Sequence, residues 1–409
     1  MYQILLFVLV AFFLVYSYIK YKNFYNPIFL FNAIWGFIFV LYDLKLSNLL
    51  DNLSNGTVLI FIAMFVTFNI ISLFISLVFD YFNSRITKNE IKSDEGAVKN
   101  NFLNKKVIYF LFIIWFCIIS VEIIYCKGVP LVWLLLKTGK TYFDFGIKGL
   151  HGFANAIGLT VTLMAYSYYE FNKKDKTLLC LISAVLFIYV LLISRQVIIS
   201  ACIEMAFVYI FKRSIQNKKI KKRYVIIGAL IAILAFGIIG NIRTGGQEFY
   251  RVSSIKYPIP LVFSGFYWFY MYLVMTVSNI NHVVTANLTN LGQATQGMDP
   301  RQFLTSPNFT VSGFMSKNLI TNGIWGVVWI CAEYSIVSAL SYNYLNKFKS
   351  MIGLLLYAVI VHIILLSFFV DMMSYKPVNF QLVLLIAVYI FEILKPHVIE
   401  YFEKRKRSL

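Results

Sequence analysis

The sequence predicts an all-α fold: a polytopic integral membrane bundle of about 11 helices (10 to 12), each long enough to cross roughly 30 Å of hydrocarbon. Three observations lead there. Hydrophobic residues make up 60% of the 409-residue chain and charged residues only 13%, too little polar surface to cover a water-soluble globule. The apolar residues fall in runs of about 17 to 24, and in lipid such runs must be helical, because each backbone amide needs a partner within its own segment. The net charge of +19 lies between these runs rather than on them, which fits the inside-positive bias of membrane proteins and leaves no nucleic-acid surface to explain.

The predicted spans, in order, are Tyr2–Ile19, Pro27–Tyr42, Thr57–Phe79, Val107–Tyr125, Gly152–Phe171, Leu178–Ser194, Val197–Phe211, Tyr224–Gly240, Gly323–Leu345, Met351–Asp371 and Phe380–Leu394. The first lacks a basic n-region and a small-residue cleavage site, so it reads as a retained span. Six connectors hold 25 of the 37 Lys and Arg: 20–26, 81–106, 172–177, 212–223, 346–350 and the basic tail 395–409. They are predicted to be cytoplasmic, which puts the amino terminus outside and the carboxyl terminus inside. Residues 81–106 form a cytoplasmic loop whose middle lacks apolar periodicity. The whole chain, 1–409, reads as a single membrane domain. Its five cysteines sit in or at the ends of apolar runs, without metal-ligand spacing.

Two external loops stand out: 127–151 and 241–322. The second contains an apolar run, Pro258–Ser278, that disturbs the parity of the spans. Residues 212–223 are strongly cytoplasmic, and counting back from the tail also puts the stretch before Gly323 outside. One crossing by 258–278 would break that agreement. The run opens on Pro258 and Pro260 and carries Phe263, Phe266, Tyr267, Trp268 and Phe269, rings that favour the membrane interface. It reads as a re-entrant or interface-lying segment, with a twelfth span as the alternative.

The chemistry-bearing residues concentrate in these loops. In Lys140-Thr-Tyr142-Phe-Asp144-Phe-Gly146-Ile-Lys-Gly149-Leu-His151, the glycines permit tight turns, Asp144 and His151 are candidate proton carriers, and Tyr142 is a candidate to stack on a sugar ring. The same stretch also reads as an amphipathic loop resting on the bilayer. Arg195, in a tight turn between two spans, needs a carboxylate or phosphate partner, or must snorkel to headgroups. Gly240-Asn-Ile-Arg243-Thr-Gly-Gly246 ends a helix in a glycine-rich turn that matches no nucleotide-binding spacing. With Arg251, Lys256 and Arg301 these form an external cationic cluster suited to a diphosphate. His282 is a third candidate base, and Asn308 and Thr310 offer polar groups where the loop enters the next span. The intramembrane carboxylates Glu122, Glu204, Glu333, Asp371 and Glu392 form no spaced relay; Glu204 and Glu333 are expected to pair within the bundle or to face an arginine, and His362 reads as a satisfied core histidine. No metal-site pattern and no serine-nucleophile elbow is present.

Gly128-Val-Pro-Leu followed by Tyr142-Phe-Asp144-Phe-Gly146-Ile-Lys-Gly149-Leu-His151-Gly152 resembles the periplasmic loop of bacterial O-antigen polymerases, also called oligosaccharide repeat unit polymerases. The Ser194-Arg195 turn and the Gly240-Asn-Ile-Arg243 helix end are similar to that family too, as is the late loop entering a Gly-x-x-Gly span. The likeness covers about residues 100–345. Where the family often carries Asp-Phe-Gly at the span entrance, this chain has Thr321-Asn322-Gly323, so Asn322 supplies no acid.

The resemblance implies a glycosyltransferase architecture of the membrane C type, related to the O-antigen ligases and placed in the bacterial inner membrane with its active face periplasmic. It implies undecaprenyl-diphosphate-linked oligosaccharide as substrate, transfer of the growing chain onto an incoming repeat unit, no metal and no other cofactor, and a chain-length regulator as a partner beside the lipid bilayer. Arg195 and Arg243 would then bind the diphosphate, Arg251 and Arg301 would assist or guide the acceptor, and Asp144, His151 or His282 would take the acceptor proton. Lys140, Tyr142, Lys256, Asn308 and Thr310 complete the candidate binding set. The alternatives are an O-antigen ligase, which uses lipid A-core as acceptor, and a non-enzymatic transporter of lipid-linked oligosaccharide.

Overall fold

The computed structural model describes residues 2–86, 103–172, 174–218, 230, 233, 237–238, 240–241, 246–257, 259–292, 309 and 311–407. Among them the regular structure is helical: α1 Tyr2–Tyr21, α2 Pro27–Asp43, α3 Asn55–Ile86, α4 Lys105–Cys126, α5 Pro130–Leu135, α6 Leu150–Phe171, α7 Lys176–Leu191 and α8 Arg195–Ile215, followed by α9 Gly246–Ser253, α10 Ser264–Thr285, α11 Ser316–Phe348, α12 Met351–Leu365 and α13 Lys376–Arg407. Among the described residues, five stretches are long and apolar enough to cross a membrane: Gln3–Tyr21, Asn55–Phe82, Lys105–Leu135, Ser316–Phe348 and Lys376–Lys395. The all-helical membrane fold read from the sequence therefore stands in this coarse form.

Several predicted borders move. The run at 351–371 is helical only to Leu365. The segment predicted to begin at Gly323 starts at Ser316 and breaks at Gly323, whose backbone (φ 60, ψ −144) is non-helical. The run at 258–278 becomes a 3-10 turn, Leu261–Phe263, leading into the 22-residue α10, about 33 Å long at the usual helical rise. Predicted span Tyr224–Gly240 falls largely outside the described residues, as does most of the cytoplasmic loop 81–106.

The chain divides into two compact units. The first comprises residues 1–92, 221–343 and 360–373. Its core is aromatic: Phe31 of α2 stacks on Phe68 of α3 at 3.9 Å between ring centres, and Trp35, Phe61 and Phe65 are fully buried around them. Within this apolar mass Asn32 and Asn69 exchange amide hydrogen bonds of 2.7 and 3.2 Å, so two helices are joined by paired donors and acceptors rather than by packing alone.

Helix α10 organises the same unit. Nearly all of it is buried, yet it carries Ser264, Thr276, Ser278, Asn279 and Asn281 inside. These side chains serve irregular backbone. Asn281 accepts from the Ser54 amide (3.0 Å) and the Thr57 hydroxyl (2.8 Å) and donates to the Asn52 carbonyl (3.2 Å). Ser278 donates to the Leu49 carbonyl at 3.1 Å. Asn279 donates to the Val311 carbonyl at 2.6 Å, and Thr276 to that of Phe368. Non-helical backbone shielded from water needs hydrogen-bond partners from the protein, and this helix supplies them. That role makes α10 less apolar than a lipid-facing span.

The second unit comprises residues 93–220, 344–359 and 374–409. Its central helix is α6, packed against α4, α7, α8 and α13. Gly158 permits the closest approach: a Cβ there would lie 2.2 Å from the Tyr189 hydroxyl and 2.8 Å from Trp115 Nε1. Trp115 Nε1 donates to that hydroxyl at 3.1 Å, and the hydroxyl donates to the Ala154 carbonyl at 3.3 Å, so both polar aromatics are satisfied inside an apolar core.

Replacing Asn281 with Leu leaves the Ser54 amide, the Thr57 hydroxyl and the Asn52 carbonyl without their partner. We expect a loss of about 2–4 kcal/mol, against about 1 kcal/mol for Ser278→Ala, which removes one bond. Equilibrium unfolding in mixed micelles measures both.

Candidate functional site

The clearest constellation is in the second unit, where α4 ends and α6 begins. Glu122 sits one turn before the end of α4 with its side chain fully buried. A carboxylate at this depth needs donors. It has two: its Oε1 accepts from the Ile147 amide at 3.0 Å, and its Oε2 faces His151 Nδ1 at 2.9 Å. His151 opens the first turn of α6, and its side chain is 27% exposed. With the carboxylate ionised and the imidazole neutral, this contact has Nδ1 as the donor and leaves Nε2 as the acceptor. Nε2 makes no hydrogen bond among the described residues. A buried carboxylate orienting an imidazole whose other nitrogen is open is the arrangement of a general base.

The loop between the helices is folded to hold this pair. Lys127 caps α4 in a left-handed conformation (φ 57), and α5 then begins at Pro130. Trp133 of α5 turns inward beside Phe145, at 6.1 Å between ring centres, and Phe145 meets the His151 ring edge-on at 5.6 Å. The Gly146 amide donates to Cys126 Sγ at 3.2 Å. With φ +97, Gly146 lies in a region that favours glycine, and a Cβ there would stand 2.7 Å from the His151 ring. The glycine thus admits both the turn and the imidazole.

The other sequence-predicted residues of this loop have different jobs. Asp144 accepts from the Thr141 amide (2.7 Å) and hydroxyl (2.9 Å), closing the 3-10 turn Tyr142–Asp144. Those two donors hold its carboxyl below the usual aspartate range, which suits a structural cap and not a base near neutral pH. Lys140 lies over the Trp133 ring at 4.9 Å and donates to the Cys126 carbonyl at 3.3 Å. Tyr142 lies against its neighbour Phe143 with the rings tilted by 35°, 3.9 Å between ring centres.

Arg195, in the second unit, is the first residue of α8 and half-buried, three residues after α7 caps at Leu192. Arg251, Lys256 and His282 belong to the first unit. The Arg251 guanidinium is engaged by Glu248 on its own helix, with Nε to Oε2 at 2.8 Å. The exposed Lys256 pairs its backbone amide with the Leu46 carbonyl at 2.9 Å. His282 is half-buried near the end of α10, and its imidazole makes no hydrogen bond among the described residues. Arg243, Arg301, Asn308 and Thr310 lie outside the described residues.

No protein-family model, curated protein or solved structure matches this chain.

Sequence reasoning noted Glu122 only as one of several membrane carboxylates and missed its partner. A usable signal was present: a lone acid at the end of one apolar run, joined by a single loop to a histidine at the start of the next. Glu204 and Glu333, expected to pair within the bundle or face arginines, part company. Both Glu204 oxygens accept from the Gln381 amide of α13, at 3.1 and 2.9 Å. Glu333 is exposed on α11 and forms no ion pair among the described residues.

Gly146→Ala should displace the His151 ring and loosen residues 127–149, whereas Glu122→Gln, isosteric and still able to accept from Ile147, should leave the loop folded. Hydrogen exchange of the loop amides distinguishes them: faster by about tenfold or more in the first, near wild type in the second.

Proposed function

We propose that the protein is a membrane glycosyltransferase that polymerises oligosaccharide repeat units carried on undecaprenyl diphosphate, as O-antigen polymerases do, at the periplasmic face of the bacterial inner membrane. The observation that supports this reading is the Glu122–His151 pair, which favours His151 as the base among Asp144, His151 and His282. In the proposed reaction, His151 Nε2 takes the proton from a hydroxyl at the non-reducing end of the incoming unit. The freed oxygen attacks the anomeric carbon that joins the growing chain to its carrier. The bond from that carbon to the phosphate oxygen breaks, and undecaprenyl diphosphate leaves with the electron pair. Glu122 is a positioning residue: it fixes the tautomer and steadies the imidazolium once formed.

The departing diphosphate carries developing negative charge, and guanidiniums complement it bidentately without a change in their own protonation. Arg195 and Arg243 are assigned that role. Arg251 is less suited than it looked from the sequence, since Glu248 already occupies its fork. It and Arg301 are assigned to the acceptor side.

In a strain lacking the chromosomal copy, His151→Gln should collapse the lipopolysaccharide ladder to core plus one repeat at normal protein level. Glu122→Gln, whose amide would drive the ring proton to Nε2, should do nearly the same, with a rate loss of about a hundredfold or more. Asp144→Asn should keep the ladder. Full ladders from His151→Gln sink the base assignment, and full ladders from both Arg195→Ala and Arg243→Ala sink the diphosphate role. Unsubstituted core in the deletion strain indicates a ligase instead.

A further inference from the structure

The outer surface of the 127–149 loop has a property that the proposed chemistry does not use. Helix α5 is apolar on both sides. One side, with Pro130 and Trp133, is buried against the protein. The other carries Val132, Leu135 and, at its C-cap, Leu136; Leu135 and Leu136 are 68% and 70% exposed, and Phe143 across the loop is 71% exposed. A helix that is apolar all round requires cover on every side, and here the chain covers only half. The cover lies close by: α4, within a stretch long and apolar enough to cross the bilayer, ends at Cys126, and Lys140 and Gly146 bond back to that residue. The loop is therefore folded back onto the end of a helix long and apolar enough to span, where an interfacial segment would meet lipid headgroups.

Charge identifies the headgroup. Residues 127–149 contain four lysines and one acid, Asp144. Asp144 is occupied by Thr141, and Lys140 by Trp133 and the Cys126 carbonyl. Lys127, Lys137 and Lys148 remain, all exposed and making no hydrogen bond or ion pair among the described residues. Lys137 directly follows the exposed leucines, in a left-handed conformation (φ 52) that ends the α5 turn. On the external side, where the distribution of Lys and Arg along the sequence predicts this loop to lie, such lysines gain nothing from the inside-positive bias and need another partner. We infer that the 127–149 loop is a membrane-surface dock for anionic phospholipid, with Leu135, Leu136 and Phe143 in the acyl boundary and Lys127, Lys137 and Lys148 on lipid phosphates. The occupant is the bilayer itself. The inference does not depend on the enzymatic reading: a transporter with this loop would dock in the same way. If the enzymatic reading holds as well, the dock keeps His151 at the height of a lipid-linked phosphate.

The test is hydrogen exchange on the full chain in nanodiscs of phosphatidylcholine with and without phosphatidylglycerol, using wild type, Lys127→Gln/Lys137→Gln/Lys148→Gln and Leu135→Ser/Leu136→Ser. Wild-type amides over 132–145 should exchange about threefold or more slowly in the anionic discs. The triple lysine variant should lose that difference while α6 stays protected. The leucine variant should exchange faster in both discs. Equal wild-type rates in the two discs, or a difference that survives the lysine substitutions, overturns the proposal. Intact lipopolysaccharide ladders or their absence leaves this readout unmoved, so failure here and failure of the glycosyltransferase reading are separable.

Discussion

The hydrogen bonds that Asn281 and its neighbours on α10 extend to irregular backbone are the constraint on which the first unit depends. Loops and breaks between helices expose amides and carbonyls, and inside a membrane protein no water is guaranteed to meet them. Side chains from one buried helix meet them instead: Asn281 for the segment before α3, Ser278 for Leu49, Asn279 for Val311. The same device appears in the second unit in charged form. Glu122 takes the Ile147 amide with one oxygen and the His151 ring with the other. Each unit thus shapes a non-helical segment with a polar side chain buried on a neighbouring helix.

This shared solution explains why the candidate site sits where it does. An acid whose only task was to satisfy a loop amide would be a structural feature and nothing more. Glu122 also faces an imidazole whose far nitrogen is open, and the loop residues Gly146, Phe145 and Trp133 hold that ring by shape. The price of burying a carboxylate is offset by two donors, and one of those donors is an imidazole with an open second nitrogen. Asp144, equally acidic in sequence, is spent on its own turn and lies under no such imidazole.

Much of the fold was legible because bilayer thickness sets helix length. Runs such as Pro27–Tyr42 and Val107–Tyr125 match α2 and α4 to within two residues at each end. Borders failed where polarity and helicity diverge. Gly323 looked like the start of a span but breaks a helix that began at Ser316, and 366–371 remained apolar after α12 had ended at Leu365. The polar, buried character of α10 was also hard to read, since Ser278 and Asn281 look like loop residues until their backbone partners are known. In the site, residue types were visible and partnerships were not. His151 was named as a candidate, yet what separates it from Asp144 is a contact with Glu122, 29 positions earlier in the chain. Arg251 was read as a member of the external cationic cluster, although a glutamate three residues before it was available to pair.

The separation between α10 and the backbone it serves has a consequence for biosynthesis. Leu49 and Asn52 meet their partners on α10 only after a further 229 residues have been made. At ribosomal rates of about 5–20 residues per second, that interval lasts on the order of ten seconds or more. Throughout it the Leu49 and Asn52 carbonyls have water, and not their eventual protein donors, as hydrogen-bond partners. Helices α4 to α8 are all synthesised during that wait, and α6 can begin packing against α4, α7 and α8 without it. The nascent chain therefore closes its amino-terminal unit late, around a helix that arrives after much of the other unit has been made.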